Sequence, residues 1–245
     1  MNIYVEKNAK ALGVRAAAHI ADLLRKAIAE KGSARLILST GASQFETIAA
    51  LVAEKVDWTK VEMFHLDEYV GLRENHKASF RGYLKKRFTS KAPLKAAYFV
   101  NGEGDVKANI AYLTKELAKA PVDVGVIGIG VNGYIAFNDP PADFATTKSY
   151  MVVTLDKKCR QQQVGEGWFA GLSDVPPRAI TMTPHRILKC RHIVSCVPHS
   201  VKAQAVLNTL AKKPTPSVPA SILKTHPDWN LYLNADSAAL VFPVK

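Results

Sequence analysis

Cysteine is scarce in this chain: Cys159, Cys190 and Cys196 are the only three, an odd number with no CxxC spacing. Such a set makes neither a disulfide framework nor a structural zinc site, and it suits a reducing compartment, so a cytoplasmic location is expected. No apolar run approaches the length of a membrane span. Residues 1–6 have neither the basic start nor the apolar stretch of a secretory leader, and none is expected. The loop after the apolar run at 36–38 carries neither GxxxxGK(S/T) nor GxGxxG, so a nucleotide P-loop is excluded there. The formal charge is +12, yet the longest unbroken basic run is Lys85-Lys86-Arg87. Without a basic stripe interleaved with aromatics, nucleic-acid binding is not expected. A diffuse positive field favours a small anionic substrate, and equally it keeps a chain soluble.

What is present describes an ordinary globular protein. Apolar residues are 48% and charged residues 22%, and 245 residues suffice to bury a core without staples. There is no internal repeat, low-complexity segment or convincing boundary, so one domain over residues 1–245 is expected.

The most informative stretch is 123–141, DVGVIGIGVNGYIAFNDPP. It opens as a short β-branched run and reads as a buried strand. It then breaks into a loop with Gly128, Gly130 and Gly133, followed by Tyr134, Asn138 and Asp139, with Asn132 among the glycines. Glycines let a backbone take positive φ and approach a bound molecule closely. In α/β sheets ligands bind beyond the carboxyl ends of the strands. A plain glycine turn with a solvated Asn-Asp pair fits the spacing as well.

Taken in order, residues 2–5 read as a strand and residues 8–31 as a helix stopped by Gly32. Leu36-Ile37-Leu38 is a second strand. It leads into Ser39, Thr40, Gly41, Ala42 and Ser43, and then a helix over about 44–55. Strand, small polar loop and helix together aim free backbone N–H groups at one point, an anion site; Ser43 as a simple cap is the plainer reading. Residues 61–66 form a third strand running into Asp67 and Glu68. A carboxylate forced toward a site at a strand end is partly desolvated, which raises its pKa and makes it a usable base. His65 reads as a core histidine. A helix is expected within 76–88, a short strand near 98–99 and a helix over about 106–118. Residues 151–153, 179–182, 192–197 and 229–233 read as further strands. The glutamine cluster at 161–163, with Arg160 and Glu166, reads as a solvated surface. His199 and Ser200 follow the strand at 192–197, and Lys202 falls in the first turn of the next helix. A cation there opposes the helix dipole, which makes anion binding by Lys202 the more attractive reading.

About seven strands alternating with helices predict an α/β fold, a doubly wound and mostly parallel sheet. Four strand ends then carry polar clusters on one edge, which favours an enzyme or ligand-binding protein over a scaffold.

With these clusters the chain resembles the glucosamine-6-phosphate deaminase (glucosamine-6-phosphate isomerase) family, related to the 6-phosphogluconolactonases. The resemblance spans nearly the whole chain and is most specific in the segments 64–72, FHLDEYVGL, and 128–140, GIGVNGYIAFNDP. Tyr69 and Ala136-Phe137-Asn138 place it on the deaminase side. It implies a Rossmann-like fold and conversion of an aminosugar 6-phosphate to a ketose 6-phosphate and ammonia, with no metal or other cofactor. Asp67 matches the family's proton-transfer carboxylate. Thr40, Gly41, Ala42 and Ser43 match its phosphate loop, with Glu68 and Gly130 counted among the substrate contacts. Lys202 matches its phosphate lysine, and Arg160 is the nearest candidate for a second phosphate cation. Three positions depart from the pattern: Asn132 replaces an acid, Tyr134 a ring-opening histidine and Asp139 a glutamate. The competing functions are a lactonase-like sugar-phosphate hydrolase and a sugar-phosphate-binding protein without catalysis. The expected partner is a small-molecule sugar phosphate, with no nucleic acid and no membrane; a homo-oligomer stays open.

Overall fold

The computed structural model of the chain describes residues 1–242. Its strands, in chain order, are β1 Asn2–Glu6, β2 Ala34–Leu38, β3 Val61–His65, β4 Asp67–Tyr69, β5 Ala96–Tyr98, β6 Val124–Val126, β7 Tyr150–Thr154, β8 Arg178–Met182, β9 His192–Val197 and β10 Trp229–Asn234. Its α-helices are α1 Ala9–Lys31, α2 Phe45–Leu51, α3 Phe80–Leu84, α4 Val106–Ala118, α5 Lys157–Gly165, α6 Pro184–Ile187, α7 Ala203–Ala211 and α8 Ala235–Ala238.

Seven strands build one sheet in the order β1-β10-β9-β6-β2-β3-β5, with every pairing parallel. The central strands β2 and β6 are buried at every position, as a sheet covered on both faces requires. Alternate residues of β2 serve opposite cores. Leu36 and Leu38 join Leu12, Ile20, Leu24 and Ile48 under α1 and α2. Ile37 joins Phe64, Leu113, Ile127 and Trp229 on the other face. The doubly wound expectation therefore holds. Helix α1 also follows its sequence signals: the Asn8 side chain accepts the Ala11 N–H, and Gly32 closes the helix at φ 77°.

The second half differs from the expectation. Strands β4, β8 and β7 leave the main sheet and pair antiparallel in a small one of their own. Along β7, positions 151–154 alternate between intermediate and exposed, the mark of a sheet with one open face. The carboxylate pair after β3 thus lies not on a continuing strand end but on β4, which turns away to pair with β8. The helix expected within 76–88 is α-helical only as α3; it continues as a π turn over Lys85–Thr89. The helix expected over 44–55 is shorter, α2, and is entered through a 3-10 turn, Ala42–Gln44.

From β2 the chain winds outward through β3 to β5. It then returns to β6 on the other side of β2 and winds the opposite way through β9 and β10. The crevice beyond β2 and β6 is therefore the topological switch point, the place where open α/β sheets take ligands. Among the described residues no helix is long and apolar enough to cross a membrane.

Helix α1 packs tightly on the backbone of α2 at Gly13. A Cβ there would stand 2.7 Å from the carbonyl carbon of Glu46, and backbone cannot yield as a flexible side chain does. Gly13→Ala should therefore destabilise by about 1–3 kcal/mol, although alanine has the better helix propensity. Urea unfolding should show a lower midpoint with an unchanged slope; a raised midpoint would contradict the tight α1–α2 contact.

Candidate active site

Strands β9, β6, β2 and β3 are consecutive in the sheet, and a cavity of about 330 Å³ opens beyond their carboxyl ends. Ser39, Thr40, Gly41, Ala42 and Ser43 enter it after β2, and Leu66 and Asp67 after β3. The glycine loop follows β6 into it, and His199, Val201 and Lys202 follow β9. The four clusters picked out in sequence thus converge.

The loop after β2 is held from three sides. Ser39 N–H donates to Val126 C=O at 3.1 Å, Gln44 Nε2 to Cys196 C=O at 3.1 Å, and Tyr83 Oη to Gly41 C=O at 3.0 Å. Gly41 takes φ 101°, a conformation that suits glycine alone. The N–H groups of Thr40, Gly41, Ala42 and Ser43 donate to no backbone carbonyl among the described residues, so they remain available to an anion. Lys202 lines the same cavity. It closes the 3-10 turn Ser200–Lys202 and precedes α7 rather than lying within its first turn. Burial pushes its ammonium pKa down, and Glu166 works against that shift.

Asp67 and Glu68 are neighbours with different surroundings. Asp67 lines the cavity. Burial first, and then the adjacent Glu68, push its carboxyl well above the usual carboxylate range. Glu68 is fully buried and does not line the cavity. Its oxygens accept from the N–H groups of Tyr69, Phe80 and Arg81 at 3.0, 3.2 and 2.9 Å, and from Ser79 Oγ at 2.9 Å. Arg81 Nε approaches at 3.4 Å. The structure therefore gives Glu68 the task of pinning the start of α3, in place of the expected substrate contact.

The glycine loop is shaped around Tyr134. Gly130 N–H donates to Tyr134 C=O at 2.8 Å, and a Cβ on Gly130 would fall 2.2 Å from the tyrosine ring. Burial pushes the phenol pKa further up, and Gln162 Nε2 donates to its oxygen at 3.2 Å. Asn138 is structural, its amide donating to Ile135 C=O at 2.7 Å and Met182 C=O at 2.8 Å.

Three further expected residues lie outside the cavity lining. Asn132 points its Oδ1 into a buried position with no hydrogen-bond partner. Asp139 lines a separate hollow with Asp143 and Asp156, and burial raises its pKa. Arg160 lies on α5 one turn before Gln163, with its Nε buried and unpartnered. The cavity instead gains Phe80, Phe137, Gln163, Glu166 and Trp168. Gln163 accepts from Tyr69 Oη at 2.9 Å, and Glu166 accepts from Gln162 Nε2 at 2.7 Å and Trp168 Nε1 at 3.2 Å. The polar cluster at 160–166 is thus half site wall and half surface. Its sequence signal was a helix with no apolar stripe, followed directly by Trp168 and Phe169.

Glu68→Ala takes the acceptor from the N–H groups of Tyr69, Phe80 and Arg81, while Arg81 keeps Glu103 at 2.8 Å, and each buried N–H left unpaired costs about 1–3 kcal/mol. A thermal melt should show a large drop in midpoint. A variant melting like the parent but unable to hold a sugar phosphate would return Glu68 to the binding site.

Comparison with known proteins places this geometry. Residues 7–231 match the family described as glucosamine-6-phosphate isomerases/6-phosphogluconolactonase. The glucosamine-6-phosphate deaminase of Lactobacillus delbrueckii subsp. bulgaricus is 34% identical over 240 residues, covering 98% of each chain. The solved structure of a monomeric glucosamine-6-phosphate deaminase superposes with a TM-score of 0.87 at 28% identity, over 98% of this chain and 100% of that one. The 6-phosphogluconolactonase of Trypanosoma brucei superposes with a TM-score of 0.79 at 15% identity over 98% of each chain, a likeness of fold alone. The chain belongs to the glucosamine-6-phosphate isomerase/6-phosphogluconolactonase family.

Proposed function

We propose that the protein is an aminosugar-6-phosphate deaminase that converts glucosamine 6-phosphate, or a close epimer, to a ketose 6-phosphate and ammonia. The observation that carries this reading is Asp67: a buried carboxyl with a raised pKa, facing one cavity with the free N–H groups of residues 40–43 and with Lys202. The phosphate occupies the loop after β2, where the N–H groups position it and Lys202 adds a point charge. Once the sugar ring is open, the Asp67 carboxylate takes the proton from C2 and returns it to C1. The C1 oxygen gains the proton that the C2 amine loses as it becomes an imine, water adds to the imine carbon, and ammonia leaves to give the ketose. The three cysteines, all free and buried, support a cytoplasmic setting.

Ring opening needs one group to take the proton of the C1 hydroxyl and one to protonate the ring oxygen. Tyr134, its phenol pKa raised by burial, serves as a donor to the ring oxygen and is a poor base. Closed-ring substrate therefore turns over slowly, while the open-chain fraction reacts at Asp67. The same tyrosine favours a second reading, a protein that binds sugar phosphate without turnover. Ammonia release from glucosamine 6-phosphate separates the two: sustained release supports the enzyme, and saturable binding without ammonia refutes it.

Asp67→Asn keeps the shape and removes the base, so kcat should fall by about 10²–10⁴-fold with binding little changed; retention of most activity would make Asp67 structural. The pH dependence has a definite sign. The folded pKa of Asp67 lies above its unfolded value of about 3.9. Between those two values the unfolded chain is ionised while the folded carboxyl keeps its proton, so stability falls as pH rises through that window. Asp67→Asn should flatten that slope and melt higher than the parent at neutral pH, while the parent's rate should fall as pH drops below the raised pKa.

Tyr134→His places a group that titrates near neutrality at the ring oxygen. It should raise the steady-state rate on the ring form by about tenfold or more. An unchanged rate, with the parent active, would show that ring opening does not limit turnover.

A further inference from the structure

Among the described residues, two that are not glycine hold a positive φ: Ala136 and His199. His199 lies at φ 79° and ψ 144°, close to a region that is nearly reserved for glycine. The turn is fixed from two directions. Asn234 Oδ1, on the neighbouring strand β10, accepts the His199 N–H at 2.9 Å, and the Lys202 N–H donates to the His199 carbonyl at 3.0 Å. Glycine would satisfy both bonds without strain. The imidazole is exposed, so it adds nothing to a core that would offset the strained backbone.

Its place on the cavity wall supplies the missing reason. His199 immediately precedes the 3-10 turn that Lys202 closes, and its carbonyl accepts the Lys202 N–H. Both line the cavity that residues 40–43 also line, and they are its only basic side chains among the described residues. One ammonium balances only part of a phosphate dianion, and Arg160 does not reach the lining.

We propose that His199 is a second phosphate-binding side chain, whose ring N–H donates to the phosphate of the sugar beside Lys202, and that the strained turn persists because it aims the ring there. This deepens, and rests on, the sugar-phosphate reading of the cavity. A strained backbone that is over-determined by its surroundings and located at a ligand site is the pattern expected of a functional constraint.

The test combines calorimetric titration with inorganic phosphate and with glucosamine 6-phosphate, and thermal melting, on the intact chain. His199→Gly should raise the melting midpoint by about 2–4 °C as the strain is released, yet weaken the affinity for both ligands by about five- to tenfold. His199→Arg, which restores a side-chain N–H donor on the same backbone, should recover affinity to within about threefold. Unchanged affinity in His199→Gly overturns the proposal. So does an arginine variant as weak as the glycine one, because turn geometry alone would then explain the loss. Lys202→Ala is the reference: if it too leaves inorganic phosphate affinity unchanged, the phosphate site itself is wrong. If it weakens binding at least tenfold while His199→Gly does not, only the role of His199 fails. None of these outcomes depends on ammonia release.

Discussion

The parallel pairing of β2 with β6, from Leu36 opposite Val124 to Leu38 opposite Val126, is the constraint on which the site depends. It is the seam where the winding reverses, so the connections on either side lead away from it and leave the crevice above it open. Both strands are buried on both faces, and their apolar side chains hold the seam in register. Ser39 extends it by one more hydrogen bond to Val126. The anion loop and the glycine loop leave the sheet from adjacent strands for this reason alone. Nothing in either loop would bring them together otherwise.

The second organising fact is the division of labour between Asp67 and Glu68. Successive side chains on a strand point to opposite faces, so β4 sends one carboxyl to the cavity and the other toward α3. Burial raises the pKa of both. Around Glu68 four hydrogen-bond donors and Arg81 counter that penalty, and the charge becomes an anchor. Around Asp67 burial and the neighbouring Glu68 act in the same direction, and its carboxyl is held well above the usual carboxylate range. The small antiparallel sheet serves this arrangement: by pairing with β8, β4 is drawn off the main sheet and Asp67 is turned over the crevice.

Much of this was legible in the sequence. Helix α1 announced itself through Asn8, the apolar spacing and Gly32. The four polar clusters could be placed on one edge because parallel strands share a direction. What stayed hidden was tertiary. No local pattern distinguishes β4, β7 and β8 from strands of the main sheet, because antiparallel pairing between residues 67–69 and 179–181 is a long-range choice. Glu68 was grouped with Asp67 by adjacency alone; three of its four hydrogen bonds come from residues 11–13 positions away and could not be counted in advance. Gln163 and Glu166 were masked by the ordinary reading of a polar helix as solvated. His199 was placed at a strand end beside Lys202, but its positive φ was hidden because backbone conformation is not written in composition. Asn132 and Asp139 stand where the family pattern has other residues, and Arg160 is only the nearest match to a family cation; in space none of the three lines the cavity.

The central claim is that Asp67 moves a proton between carbon atoms of a phosphorylated aminosugar. The most direct measurement is solvent hydrogen exchange at C2 of glucosamine 6-phosphate, followed by NMR in deuterated water, with the parent protein and with Asp67→Asn. The account predicts deuterium entering C2 with the parent, by return of a proton that has exchanged with solvent at Asp67, and none above background with the variant. Exchange or ammonia release that persists in Asp67→Asn at the parent's rate would contradict it.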